Sequence, residues 1–151
     1  MRLTLAAVVG SARRLKGGAA FQLVEEYLER ASAYAECGFE SFADEAGLLR
    51  AVARNAGRVP ATLVLFDSRG AMLRSEEFAA RLAGFRDAGR QRVVLAIGPA
   101  SGWTGAARER AEATISLGNM TLPHALAQAV VAEQMYRALT ILAGHPYHCG
   151  H

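Results

Sequence analysis

The sequence predicts an α/β fold built on a mainly parallel sheet, and three observations carry that prediction. Short apolar runs alternate along the chain with stretches whose apolar residues recur at helical spacing. Two of the runs, Ala61 to Phe66 and Val93 to Ile97, contain no charge, as suits strands buried on both faces. At 151 residues the chain has the size of one domain, and no repeat, low-complexity tract or linker divides it.

Taken in order, Leu3 to Val9 reads as a first strand, and Phe21, Val24, Tyr27 and Leu28 mark a helix to about Ala35. Gly38 to Phe42 is a second short strand, followed by a helix over Glu45 to Asn55 that stops at Asn55-Ala56-Gly57. The strand Ala61 to Phe66 ends at Asp67 and a turn centred on Ser68-Arg69-Gly70. Ser75 caps the next helix, with Glu76 and Glu77 in its first turn and Phe78, Leu82 and Phe85 on one face. Val93 to Ile97 is a buried strand, Thr104 caps a helix to about Ala113, and Thr114 to Leu117 is a short strand. A long helix over Leu122 to Ala143 closes the chain, with Pro123 in its first turn and Gly144 just past its end.

Apolar residues make up 52% of the chain, yet no run approaches the roughly 20 residues of a membrane span. The N-terminal apolar run ends at Gly10 and leads to Arg13, Arg14 and Lys16 rather than to a cleavage site, so a cytoplasmic, membrane-free protein is expected. Cys37 and Cys149 share no CxxC spacing and suit plain thiols in a reducing compartment. The net charge of +3 permits nucleic-acid binding without demanding it; the clusters Arg13, Arg14, Lys16 and Arg86, Arg90, Arg92 read first as solvated surface.

In an open parallel sheet ligands bind beyond the carboxyl ends of the strands, which selects the loops after Val9, Phe66, Ile97 and Leu117. Gly98-Pro99-Ala100-Ser101-Gly102 allows close approach of backbone to a ligand, and Gly118-Asn119-Met120-Thr121 leads into a helix N-terminus. Neither GxGxxG nor GxxxxGK[ST] occurs. The terminal run His145-Pro146-Tyr147-His148-Cys149-Gly150-His151 is too polar for core packing. Its His and Cys spacing matches no standard zinc pattern, and no metal is expected.

SLGNMTLPHAL from Ser116 and AEQMYRALTILAGHPYH from Ala132 are specific motifs, and VVG at Val8, LFDSRG at Leu65, SEEFA at Ser75 and AIG at Ala96 fall in a matching order. On these residues the whole chain resembles the RlmH family of SPOUT-class RNA methyltransferases. The resemblance implies a trefoil-knotted α/β fold, a homodimer with each site near the subunit interface, and S-adenosylmethionine as cofactor. It also implies transfer of a methyl group to N3 of a pseudouridine in 23S rRNA, in the large subunit or assembled ribosome. The cofactor positions carry over to Phe66, to Pro99 with its neighbour Gly98, and to Gly118, Asn119, Met120, Thr121, Leu122 and Pro123. Arg137, Tyr147 and His148 carry over as the catalytic and substrate residues.

Five positions depart from the family pattern. Pro99 replaces a second glycine and removes an N–H, Phe66 stands for leucine and Gly118 for serine. Cys149 and Gln128 stand where cations are common. In the implied chemistry Arg137 offers positive charge, Tyr147 stacks on or bonds the base, and His148 accepts a proton. Against that, Arg137 follows Glu133 by four residues and has an ordinary helical partner there, and His124 has the position of a surface residue on a first turn. Two alternatives are a non-catalytic RNA- or ribosome-binding paralogue with an impaired cofactor site, and an unrelated nucleotide-binding α/β protein. The main expectation is one pocket with the glycine turns on one side and the HPYH segment on the other.

Overall fold

A computed structural model describes residues 1–10, 17–54 and 59–150. The described elements are β1 (Arg2–Val8), α1 (Ala19–Ala31), β2 (Glu36–Phe42), α2 (Glu45–Ala53), β3 (Thr62–Met72), α3 (Ser75–Asp87), β4 (Arg92–Ile97), α4 (Gly105–Arg110), β5 (Ala113–Ser116), α5 (His124–Leu142) and a 3₁₀ turn (Pro146–Gly150). The sheet order is β2-β1-β4-β3-β5 with every described pairing parallel, as the charge-free runs predict.

Alternation along each strand builds two cores. Leu3, Leu5, Val64, Phe66, Val93, Leu95 and Ile97 face α1, α3 and α5, while Ala6, Val8, Leu63, Leu65, Val94 and Ala96 face α2 and α4. A three-layer α/β/α sandwich results.

Several element boundaries depart from expectation for tertiary reasons. β3 does not end at Asp67: it runs on to Met72, and Phe66 and Ala71 both face Ile115, so the excess residues between them form an irregularity in the strand rather than a terminal turn. Gly70 sits there because a Cβ would stand 2.6 Å from the backbone N and C of Ile115. Ser75 is not the cap of α3. Its hydroxyl bonds Gln134 on α5 at 2.8 Å, while Arg74 takes the cap position and donates its N–H to Glu77 at 2.6 Å. Thr104 does precede α4, but its N–H and hydroxyl both go to Glu45. The first helix closes at Ala31, where the Ser32 hydroxyl donates to the Leu28 carbonyl. The stop signal at Asn55 to Gly57, the cations Arg13, Arg14 and Lys16, and His151 lie outside the described residues.

α5 begins one residue past Pro123 and ends in a glycine cap. Gly144 has φ +69°, and the N–H of His145 reaches back to the Thr140 carbonyl at 2.9 Å. This reversal turns the terminal segment back along α5. Cys37 is a structural thiol: burial first, and the neighbouring Glu36 carboxylate second, push it up to about 11. No described helix is long and apolar enough to cross a membrane.

Candidate functional site

The irregular stretch of β3 and the carboxyl ends of β4 and β5 meet the start of α5 around a cavity of about 520 Å³. Its walls are Phe66 to Arg69, Ile97 to Trp103, Leu117 to Leu122, His124 and Ala127. Eight of the nine expected cofactor residues line it, namely Phe66, Gly98, Pro99, Gly118, Asn119, Met120, Thr121 and Leu122; Pro123 stands beside it as the cap of α5. Of the four selected segments, those after Phe66, Ile97 and Leu117 converge, the first as the irregular stretch inside β3, whereas no described residue of the loop after Val9 reaches the cavity.

The loops hold their shape through specific bonds. Gly102 at φ +83° closes a turn by donating to the Pro99 carbonyl at 2.9 Å, and Gly118 at φ +129° donates to Ser116 Oγ at 3.1 Å. Both glycines occupy backbone space that L side chains rarely enter.

Sequence reasoning missed four residues that shape this cavity. Trp103 is buried and donates Nε1–H to the Phe66 carbonyl at 3.0 Å, joining the β4 loop to β3. Its ring lies so close to Gly98 that a Cβ there would stand 2.7 Å from it. Gly98→Ala is therefore expected to push the indole off Phe66, destabilise the fold by about 1–3 kcal/mol and cut ligand affinity at least about 100-fold. Thermal melts and titration calorimetry read the two effects. The available signal was a lone tryptophan just after a glycine-rich loop.

Asp67 and Arg108 are the second and third, an ion pair with Oδ2 receiving the guanidinium at 2.5 Å and Oδ1 the Arg69 N–H at 2.9 Å. Burial pushes the Asp67 carboxyl up, but the Arg69 N–H and the Arg108 guanidinium outweigh it, so the net is below the ordinary carboxylate value. A depressed folded value means the stabilisation is complete above about pH 4 and is lost as pH falls through that folded value. Wild-type protein is thus expected to melt above Asp67→Asn near neutral pH, with the gap closing in strong acid. Gln128 is the fourth, and it bonds His124.

Arg137, Tyr147 and His148 are brought together elsewhere. Arg137 donates to Glu133 Oε1 from Nε at 2.9 Å and from a terminal nitrogen at 2.5 Å, and its guanidinium lies 4.8 Å from the Tyr147 ring centroid. The helical ion pair anticipated for Arg137 is present, and it coexists with the cluster. Tyr147 donates its hydroxyl to the same Glu133 oxygen at 3.0 Å. Burial, then bonding to Tyr27 and Glu133, pushes the phenol well above its ordinary value, so Tyr147 stays protonated. Arg137 offers His148 Nδ1 a hydrogen bond at 3.3 Å, which leaves Nε2 to donate to Glu76 at 3.0 Å. Both nitrogens of His148 are engaged, so it can accept a proton only when Arg137 turns away. His145 is exposed and its Nδ1 accepts the Tyr147 N–H at 3.1 Å, bracing the 3₁₀ turn. Among the described residues no three His, Cys, Asp or Glu side chains converge on a metal position.

The two groups do not form one pocket within a chain. Glu133 and Arg137 lie nine and thirteen residues beyond His124, or about 14 and 20 Å along α5, and no residue of the cluster lines the cavity. The expectation of the HPYH segment facing the glycine turns is thus not met inside a single protomer. Placing both groups on one side of the sheet required only the helix; joining them requires more.

A family model described as "Predicted SPOUT methyltransferase" matches residues 1–148. The chain belongs to the SPOUT methyltransferase family. Among relatives of this SPOUT methyltransferase, proteins named ribosomal RNA large subunit methyltransferase H occur in Koribacter versatilis and Rhizobium etli. The first is 44% identical over 138 residues, covering 91% of this chain and 94% of its own. The second is 43% identical over 167 aligned residues, covering 98% and 99%. Two solved structures share the fold: a probable methylase family protein from Haemophilus influenzae, and the SpoU methyltransferase AviRb from Streptomyces viridochromogenes in complex with AdoMet. The TM-scores are 0.58 and 0.52, at 11% and 14% identity, and the matches cover 95% and 94% of this chain but 66% and 60% of those chains. Membership in the SPOUT methyltransferases replaces the reading of an unrelated nucleotide-binding protein.

Proposed function

We propose that this SPOUT methyltransferase transfers a methyl group from S-adenosylmethionine to N3 of a pseudouridine in 23S rRNA, within the large subunit or assembled ribosome, as a cytoplasmic homodimer. The carrying observation is the cavity itself, where the irregular stretch of β3 and the loops after β4 and β5 meet a helix N-terminus. Its volume of about 520 Å³ falls within the roughly 300–1,000 Å³ of small-molecule sites. The family, and the relatives named for large-subunit rRNA methylation, support the substrate class.

The residues fit the cofactor. Phe66, Leu117 and Leu122 offer apolar surface to a purine, and the glycine turns offer backbone at close range. When bound, the cofactor supplies an electrophilic methyl group. The chain must place the nucleophilic nitrogen at about 3–3.5 Å and help its proton leave. Arg137 is held charged, by the Glu133 hydrogen bond above all, and its charge stabilises the ring anion as the N3 proton departs. In this reading Tyr147 stacks on or bonds the base once the Arg137 guanidinium has turned from its ring. His148 Nδ1 takes the proton once the Arg137 guanidinium turns from it to the base.

Groups about 14–20 Å apart along one helix cannot act on one reacting pair. A two-fold dimer resolves this by bringing one protomer's cluster to its partner's cavity. The reading also includes a trefoil knot, supported by the return of α5 from β5, at one edge of the sheet, to pack on α1 and α3.

Mixed dimers test the shared site. Gly98→Ala and Arg137→Ala chains are each expected to be inactive, but co-refolded in equal amounts they should recover about one quarter of wild-type activity, since half the dimers carry one intact site. No recovery would place both groups in the same protomer's site. The non-catalytic reading draws on Pro99, which removes a donor from the cavity wall; absence of saturable heat on titration with S-adenosylmethionine would favour it.

A further inference from the structure

We propose that His124 is a positioning residue of the methyl-donor site, held in one tautomer by Gln128 so that it clamps the Gly98 carbonyl and ties the β4 loop to the start of α5. This rests on the reading of the cavity as the S-adenosylmethionine site.

His124 Nε2 lies 2.8 Å from the Gly98 carbonyl oxygen and Nδ1 lies 2.8 Å from Gln128 Nε2. A carboxamide nitrogen only donates, so Nδ1 carries the lone pair and the ring proton sits on Nε2, where the carbonyl accepts it. Gln128 is 1% exposed and one helical turn beyond His124, so its amide is held against the ring. With Nδ1 occupied by a donor and Nε2 donating, His124 has no lone pair free to act as a base.

The clamp matters because of Pro99. The peptide between Gly98 and Pro99 has no N–H, and its carbonyl is its only polar group. Trp103 secures the far end of the same loop to Phe66, and His124 secures the near end to α5. Two walls of the cavity, the loop from Gly98 and the loop from Gly118 into α5, thereby keep a fixed separation. Without the imidazole, a polar carbonyl on the cavity wall loses its partner and the walls part.

The test combines titration with S-adenosylmethionine and two-bond ¹H–¹⁵N correlation spectra of the histidine rings. Wild-type His124 is expected to show the Nε2–H pattern, and Gln128→Leu a mixture of tautomers with weaker binding. His124→Ala should lose about tenfold in affinity, the size of one unmet buried hydrogen bond. His124→Gln retains a donor at the same reach and should bind within about threefold of wild type. An Nδ1–H pattern in wild type, or equal affinity of the Ala and Gln variants, overturns the clamp. Absence of wild-type binding overturns the cofactor reading instead.

Discussion

Gly70→Ala is expected to produce the largest loss of stability of any single methyl added to this fold. The new Cβ would lie 2.6 Å from the backbone N and C of Ile115 and 2.7 Å from the Thr114 carbonyl carbon. Main-chain atoms of a paired strand cannot rotate away as a side-chain tip does, so β5 must separate from β3 where Phe66 and Ala71 both face Ile115. Overpacking of this kind falls at the upper end of the usual range, about 3 kcal/mol or more. For a chain of this length that lowers the melting temperature by about 6–12 °C. Because β5 delivers the chain to Leu117 and the cavity, cofactor binding should fall with it. A melt indistinguishable from wild type would show that β3 and β5 are not packed this closely.

Arg137→Ala is expected to abolish methylation while the protein still folds and dimerises. Loss of a cation that stabilises developing charge costs about 10²–10³ in rate. The variant also strands Glu133, whose side chain is 17% exposed, so some loss of stability accompanies it. Glu133→Gln separates the two roles. If Arg137 served only as the helical partner of Glu133, both variants would behave alike. If its charge acts on the base, Glu133→Gln keeps most activity and Arg137→Ala keeps none, with kcat falling far more than KM rises. Arg137→Lys is expected to fail as well, because an ammonium cannot both fork onto Glu133 and lie over the Tyr147 ring.

What could be read in advance follows from which forces are local. Ala61 to Phe66 and Val93 to Ile97 were legible as strands because burial on both faces removes charge from a whole run. The glycine turns at Gly98 and Gly118 were legible because chain reversal next to a ligand has few solutions. Ser68-Arg69-Gly70 was misread because those residue types favour turns, while the requirement that decides Gly70 is the backbone of a strand over forty residues later. Ser75 looked like a cap until its hydroxyl found Gln134 across α3 and α5. Trp103 and Gln128 escaped for the same reason, since their roles lie in bonds to Phe66 and His124 that no local pattern announces. Arg137, Tyr147 and His148 were brought together as anticipated, by the Gly144 cap that folds the terminal segment onto α5. Their separation from the cavity was also legible, since thirteen residues of a helix already predicted put Arg137 about 20 Å beyond His124; the motifs alone, which carry no distances, obscured it.

In the proposed function this chain places a methyl group on a pseudouridine of 23S rRNA. Mass spectrometry of 23S rRNA fragments from a strain lacking the protein tests it most directly. One pseudouridine is predicted to lack a methyl group that returns when wild-type protein is supplied and stays absent with Arg137→Ala. Unchanged methylation of every pseudouridine in the deleted strain would contradict it.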